Sequence, residues 1–114
     1  MLLLTETASG DSVIVPAHRV KQAAAKGAGS KVVLYQDEYT VICNETPAAI
    51  IAQQSPEVLH LVLVTRASDS VDFVFNVREL ETVLPSGSGS EIIRTYEQSM
   101  VVTQNPAAIF ASQA

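Results

Sequence analysis

Tryptophan is absent from this chain, cysteine occurs once, and aromatic residues make up only 5% of it. A single Cys43 excludes an intrachain disulfide. A core assembled without Trp must be aliphatic, from Val, Ile, Leu and Ala. Basic residues are also scarce, with seven Lys and Arg against twelve Asp and Glu, a formal net charge of -5. The charges are spread evenly and form no basic cluster. Nucleic-acid binding and attachment to an anionic membrane both depend on clustered Lys and Arg, so neither is expected here. No apolar run approaches the roughly 18 residues of a spanning helix. The opening Met1–Glu6 has no basic residue ahead of its leucines, unlike a secretory signal. A soluble, cytoplasmic protein is the expectation.

What the chain does have is apolar material: 47% of its 114 residues are hydrophobic and 17% charged. That composition supports a folded core, and the length suits one domain or two very small ones sharing a core. The chain also resembles itself. Glu45-Thr46-Pro47-Ala48-Ala49-Ile50 matches Gln104-Asn105-Pro106-Ala107-Ala108-Ile109, and Gly27-Ala28-Gly29-Ser30 matches Gly87-Ser88-Gly89-Ser90. Upstream, Leu2–Thr5 resembles Leu61–Thr65 and Val13-Ile14-Val15 resembles Phe73-Val74-Phe75, while Cys43 corresponds to Val102. Order and residue type agree along both halves, with a register drift of one residue between the glycine loop and the helix as a turn indel would produce, which points to a tandem duplication. Its boundaries are 1–54 for the first unit, 55–59 for a linker around Ser55-Pro56, and 60–114 for the second unit.

Each unit reads as strands followed by a helix. The first strand covers Leu2–Thr5 or about Val58–Thr65, and the second Ser12–Val15 or Asp72–Phe75. Phe73 and Phe75 are expected to point one way and Asp72 the other, as in a half-buried strand. A one-turn corner is expected at Pro16–Arg19 and Asn76–Glu79. Third strands follow at Val20–Ala24 and Leu80–Leu84. The glycine pairs then read as hairpin loops, where glycine supplies positive φ. Fourth and fifth strands are expected over Lys31–Gln36 with Thr40–Asn44, and over Glu91–Tyr96 with Ser99–Thr103. Thr46 and Asn105 suit helix N-caps with proline at the first helical position. The fold class is therefore mainly β with two short helices. Each repeat would hold about five antiparallel strands in a small barrel-like sheet, and the repeats would be related by a pseudo-two-fold.

The layout resembles the small FlbD-like family of bacterial flagellar operons, and small phage proteins of the same pattern. The resemblance is carried by Leu4-Thr5, Val13-Ile14-Val15, Pro16, Gly29-Ser30, Val41-Ile42-Cys43 and Glu45-Thr46-Pro47, and again by Val64-Thr65, Phe73-Val74-Phe75, Asn76, Gly89-Ser90 and Asn105-Pro106. The family normally carries one such unit. The resemblance offers no catalytic residue to carry over, and it implies an accessory or assembly protein.

The individual side chains point the same way. His18 is expected as a corner residue, and His60 lies in a strand without metal-ligating neighbours. Cys43 occupies a position that also accepts Val, a core site. Lys26-Gly27-Ala28-Gly29-Ser30-Lys31 lacks the spacing of a phosphate-binding loop. Asp37, Glu38 and Glu97 fall in turns, where acids are usually solvated. Tyr35, Tyr39 and Tyr96 cluster near the last hairpins, and with Arg78 and Arg94 they are the candidate partner-binding residues, because Tyr and Arg favour interfaces. No catalytic residue, metal ligand or cofactor site is expected. The functional expectation is a non-enzymatic structural or assembly protein, self-associating or bound to a protein partner, in specific form a phage virion or accessory protein. A sequestering protein with nucleotide pockets between units is the alternative, with Arg19, Lys31, Arg78 or Arg94 holding the anion.

Overall fold

A computed structural model describes residues 1–54, 61–95 and 97–111. The expected linker at 55–59 and His60 lie outside the described residues, as does Tyr96. The strands are β1 (Leu2–Thr5), β2 (Ser12–Val15), β3 (Val20–Lys26), β4 (Gly29–Leu34), β5 (Thr40–Cys43), β6 (Leu61–Thr65), β7 (Asp72–Asn76), β8 (Leu80–Ser86), β9 (Gly89–Arg94) and β10 (Met100–Val102). The helices are α1 (Pro47–Ala52) and α2 (Pro106–Ala111). The molecule is mainly β and every strand pairing is antiparallel.

Local chemistry sets these elements. The β3–β4 and β8–β9 hairpins turn through Gly27-Ala28 and Gly87-Ser88, with Gly27 and Gly87 at φ of 56° and 57°. A second glycine in each hairpin has a different task. A Cβ on Gly29 would stand 2.0 Å from the Cys43 carbonyl oxygen, and one on Gly89 2.0 Å from that of Val102. Only glycine lets the hairpin approach the last strand so closely. The Thr46 hydroxyl accepts from the Ala49 N–H at 3.2 Å, and the Asn105 side chain accepts from the Ala108 N–H at 2.8 Å. Both are N-caps followed by proline, and the helices bury Ile50 and Ile109.

Among the described residues the strands form three sheets. One has five strands in the order β5-β4-β3-β7-β6, one is the β1–β2 hairpin, and one runs β10-β9-β8. The expected barrel-like closure within each half is not seen. One-turn 3-10 corners at Ala17–Arg19 and Val77–Glu79 swing each third strand away from the second. The third strand β3 then pairs with β7 of the other half, with Gln22 opposite Phe75, Ala23 opposite Val74 and Ala24 opposite Phe73. The β1–β2 and β6–β7 hairpins share a core with the last strands of their own halves but pair with them in the backbone only at isolated bridges, Glu6 to Cys43 and Arg66 to Val102, among the described residues. A two-fold relation between the halves would also pair β2 with β8. No such pairing occurs among the described residues.

The five-stranded sheet feeds two cores. Leu61 and Val74 join Leu2, Leu4, Val15, Val20, Ala23, Val32, Val41, Cys43 and Ile50 in the first. Val62, Val64, Phe73 and Phe75 point the other way, into the second core with Ile92, Val102 and Ile109. Residues of β6 and β7 therefore alternate between the cores, as the two faces of a strand require. Each fully buried Leu, Val or Phe contributes on the order of 2 kcal/mol. The shared hairpin thus ties the halves through both of its faces.

Candidate functional site

The polar side chains with the most structured surroundings lie at the joint between β3 and β7. Asn76 is fully buried. Its side-chain amide donates to the carbonyls of Val20 at 2.8 Å and His18 at 3.2 Å, and its oxygen accepts from the Arg78 N–H at 3.0 Å. Every polar atom of that side chain is thereby used, as burial demands. Next to it the Tyr35 hydroxyl donates to Glu79 Oε2 at 2.7 Å, and the Arg78 guanidinium lies 5.2 Å above the Tyr35 ring. Burial and the neighbouring Glu79 carboxylate push the Tyr35 phenol well above its ordinary value.

Lys21 completes the joint. It sits at a β-bulge in β3 and reaches Glu38 at 3.2 Å and Glu97 of the other half at 3.3 Å. Its ammonium is held above the ordinary value, first by the hydrogen bond to Glu38 and then, against some desolvation, by that to Glu97. The turn acids are thus not simply solvated, because two of the three bracket one lysine.

The expected partner-binding residues separate into different settings. Tyr35 and Arg78 come together, but across the internal joint. Arg94 stands 5.1 Å over the Phe75 ring and donates from Nε to the Gln98 carbonyl at 2.8 Å. Tyr39 is exposed, on the rim of a groove of about 330 Å³ lined by Val13, Ile14, Val15, Pro16, Arg19, Leu34 and Val41 among others. Of the proposed anion holders, Arg19 borders this groove and Lys31 is exposed on β4. Cys43 is buried in the first core, and burial pushes its thiol up.

One apolar surface was not singled out from the sequence. Met1, Leu3 and Ile14 are exposed on the outer face of the β1–β2 hairpin, and Leu84 on β8. The available signal was the continuous apolar character of Leu2–Leu4 and Val13–Val15, which leaves no polar face for solvent. Among the described residues both β2 and β8 end a sheet, so each presents an edge of backbone N–H and C=O groups with no strand beside it there. Among the described residues no group of three His, Cys, Asp or Glu side chains is placed to hold a metal ion, and no helix is long and apolar enough to cross a membrane. No family model, curated protein or solved structure matches the chain.

Proposed function

We propose that this is a non-enzymatic assembly protein, made of two copies of one unit and acting through protein–protein contacts at its open strand edges. The observation that carries the reading is the outer face of the β1–β2 hairpin. It exposes Met1, Leu3 and Ile14 beside an unpaired strand edge and an apolar groove. Grouped apolar side chains of this kind mark interaction sites, and an open edge offers backbone pairing to a partner. A virion or phage accessory role is the specific form that the resemblance to small phage proteins suggests.

The sequestering alternative has less support. Arg78 and Arg94 lie over the Tyr35 and Phe75 rings, and the groove gains a guanidinium only from Arg19. Anion recognition normally draws on several converging donors. The test is a photo-reactive benzoylphenylalanine placed at Ile14, irradiated in extract of the source organism. A covalent adduct of discrete mass at Ile14, absent when the probe sits at exposed Lys31, is the expected result. No adduct from Ile14 would overturn the reading.

A further inference from the structure

We infer that the surface is covered by a second copy of this chain, docked head to tail, with β8 of one copy pairing to β2 of the next. This rests on reading the halves as two copies of one unit. Within that reading the internal joint is one-sided. The third strand of the first half, β3, takes the second strand of the second half, β7. The corresponding strands of the opposite kind, β8 and β2, are both left at sheet edges. A contact between unlike surfaces that does not close on itself is repeated by the next copy.

Burial supports this position by position. Leu61 and Val74, on the outer face of the β6–β7 hairpin, are 2% and 0% exposed, because the first core and α1 cover them. Their counterparts Met1 and Ile14 are 82% and 67% exposed. The identical face is therefore dry in one half and bare in the other. On the complementary side, Ala24 packs against the second core, while its counterpart Leu84 is 46% exposed.

Side-chain size matches as well. Inside the chain, small Ala24 stands opposite large Phe73. The same register between copies sets Leu84 opposite Val13, Val83 opposite Ile14 and Thr82 opposite Val15. At the Leu84–Val13 pair the larger side chain is on the third strand, the reverse of Ala24 and Phe73. The groove bounded by Val13, Val15, Leu34 and Val41 provides the space that Leu84 would fill. Pro85, which cannot donate to a ladder, falls just beyond this three-pair register.

The joint between copies is weaker than the internal one. Asn76 corresponds to Pro16 and Tyr35 to Thr95, so the buried amide clamp and the phenol contact are missing. Lys21 corresponds to Glu81, which would meet Glu38 of the second copy as Lys21 meets Glu97. Like charges oppose there, offset only in part by the Lys21 that already bridges Glu38 within that copy, so association should strengthen with added salt.

Light scattering after size exclusion tests this over a range of concentration and salt. The wild-type chain should form concentration-dependent oligomers. Ile14→Asp and Leu84→Asp, both at exposed positions, should each be monomeric with unchanged circular dichroism. Mixed together, they should form a one-to-one dimer, because one variant retains an intact β8 edge and the other an intact β2 edge. Glu81→Lys should tighten wild-type association about fivefold, the size of an exposed ion pair. A wild type that stays monomeric overturns the inference, as does an oligomer indifferent to both variants or a mixture that does not dimerise. A monomer whose Ile14 probe still captures a different protein would overturn the head-to-tail joint alone and leave the proposed function standing.

Discussion

Two hairpins of this molecule share a pairing scheme and meet opposite surroundings. In β1–β2, Leu4 faces Val13 and Thr5 faces Ser12; in β6–β7, Val64 faces Phe73 and Thr65 faces Asp72. Both turn one apolar face into their own core. The second faces differ, since that of β6–β7 is sealed against the first half and that of β1–β2 meets water. Strand pattern thus decides which residues share a face, and the neighbouring element decides whether that face is dry.

Truncating the outward residue of each hairpin should separate the two most strongly. Leu61 is buried in the first core, whereas its counterpart Met1 is exposed. Leu61→Ala should cost about 3 kcal/mol and Met1→Ala well under about 1 kcal/mol, read by urea denaturation. Equal losses would mean that the joint adds nothing to the second hairpin.

A smaller effect is expected from the clamp that only β7 possesses. Asn76→Ala leaves the buried Val20 carbonyl without its 2.8 Å donor and should cost about 2 kcal/mol. Proline occupies the corresponding position 16, so Pro16→Ala should change stability by well under 1 kcal/mol, roughly the level of ordinary surface substitutions.

The halves also differ in what fastens the first strand to the last. The Glu45 carboxylate accepts from the Thr5 N–H at 2.7 Å and from the Thr5 hydroxyl at 3.0 Å. In the second half the amide of Gln104 accepts from the Thr65 N–H at 2.9 Å. Burial pushes the Glu45 carboxyl up, but the hydrogen bonds from Thr5 outweigh it and hold it below its ordinary value. Its contribution is therefore full above the unfolded-state carboxylate range and is lost as pH falls through the lowered folded value. Glu45→Gln should flatten this acid limb of the stability curve by about 1 kcal/mol in denaturation at graded pH. An unchanged acid limb would show that the two clasps are equivalent.

The subtlest contrast lies at Tyr35, whose counterpart is Thr95. The phenol is raised in the fold, so its contribution is complete below the ordinary phenol value near pH 10 and is lost as pH rises through the folded value. Absorbance of phenolate at 295 nm should show a late step coinciding with unfolding. Tyr35→Phe should remove that step, and its persistence would assign it elsewhere.

Much of each unit was legible from sequence because its signals are local. The glycine pairs located both hairpins, although β4 and β9 begin at Gly29 and Gly89, two residues earlier than expected. Thr46-Pro47 and Asn105-Pro106 marked the helix starts. The one-turn corners at Pro16 and Asn76 were also readable. The β3–β7 pairing was not, because it joins Ala23 to Val74 across half the chain and no periodicity encodes a partner at that distance. Tyr35 and Arg78 stood out as residue types suited to interfaces. That they meet each other across an internal joint depends on the same unreadable pairing. The exposed face of Met1, Leu3 and Ile14 was not legible, since an unbroken apolar pattern is equally that of a strand buried on both sides.

The shared sheet also carries a consequence for the order of folding during synthesis. The first core lacks Leu61 and Val74, and β3 lacks its second neighbour beside β4, until the residues of β7 have left the ribosome. Up to that moment the nascent first half presents an unfilled core and a bare strand, the kind of surface that recruits holdase chaperones or mispairs with another nascent chain. Pairings of such long sequence separation also form slowly. The pace at which ribosomes deliver β6 and β7 therefore bears on whether the first half completes itself in cis or borrows the same strand from a neighbour.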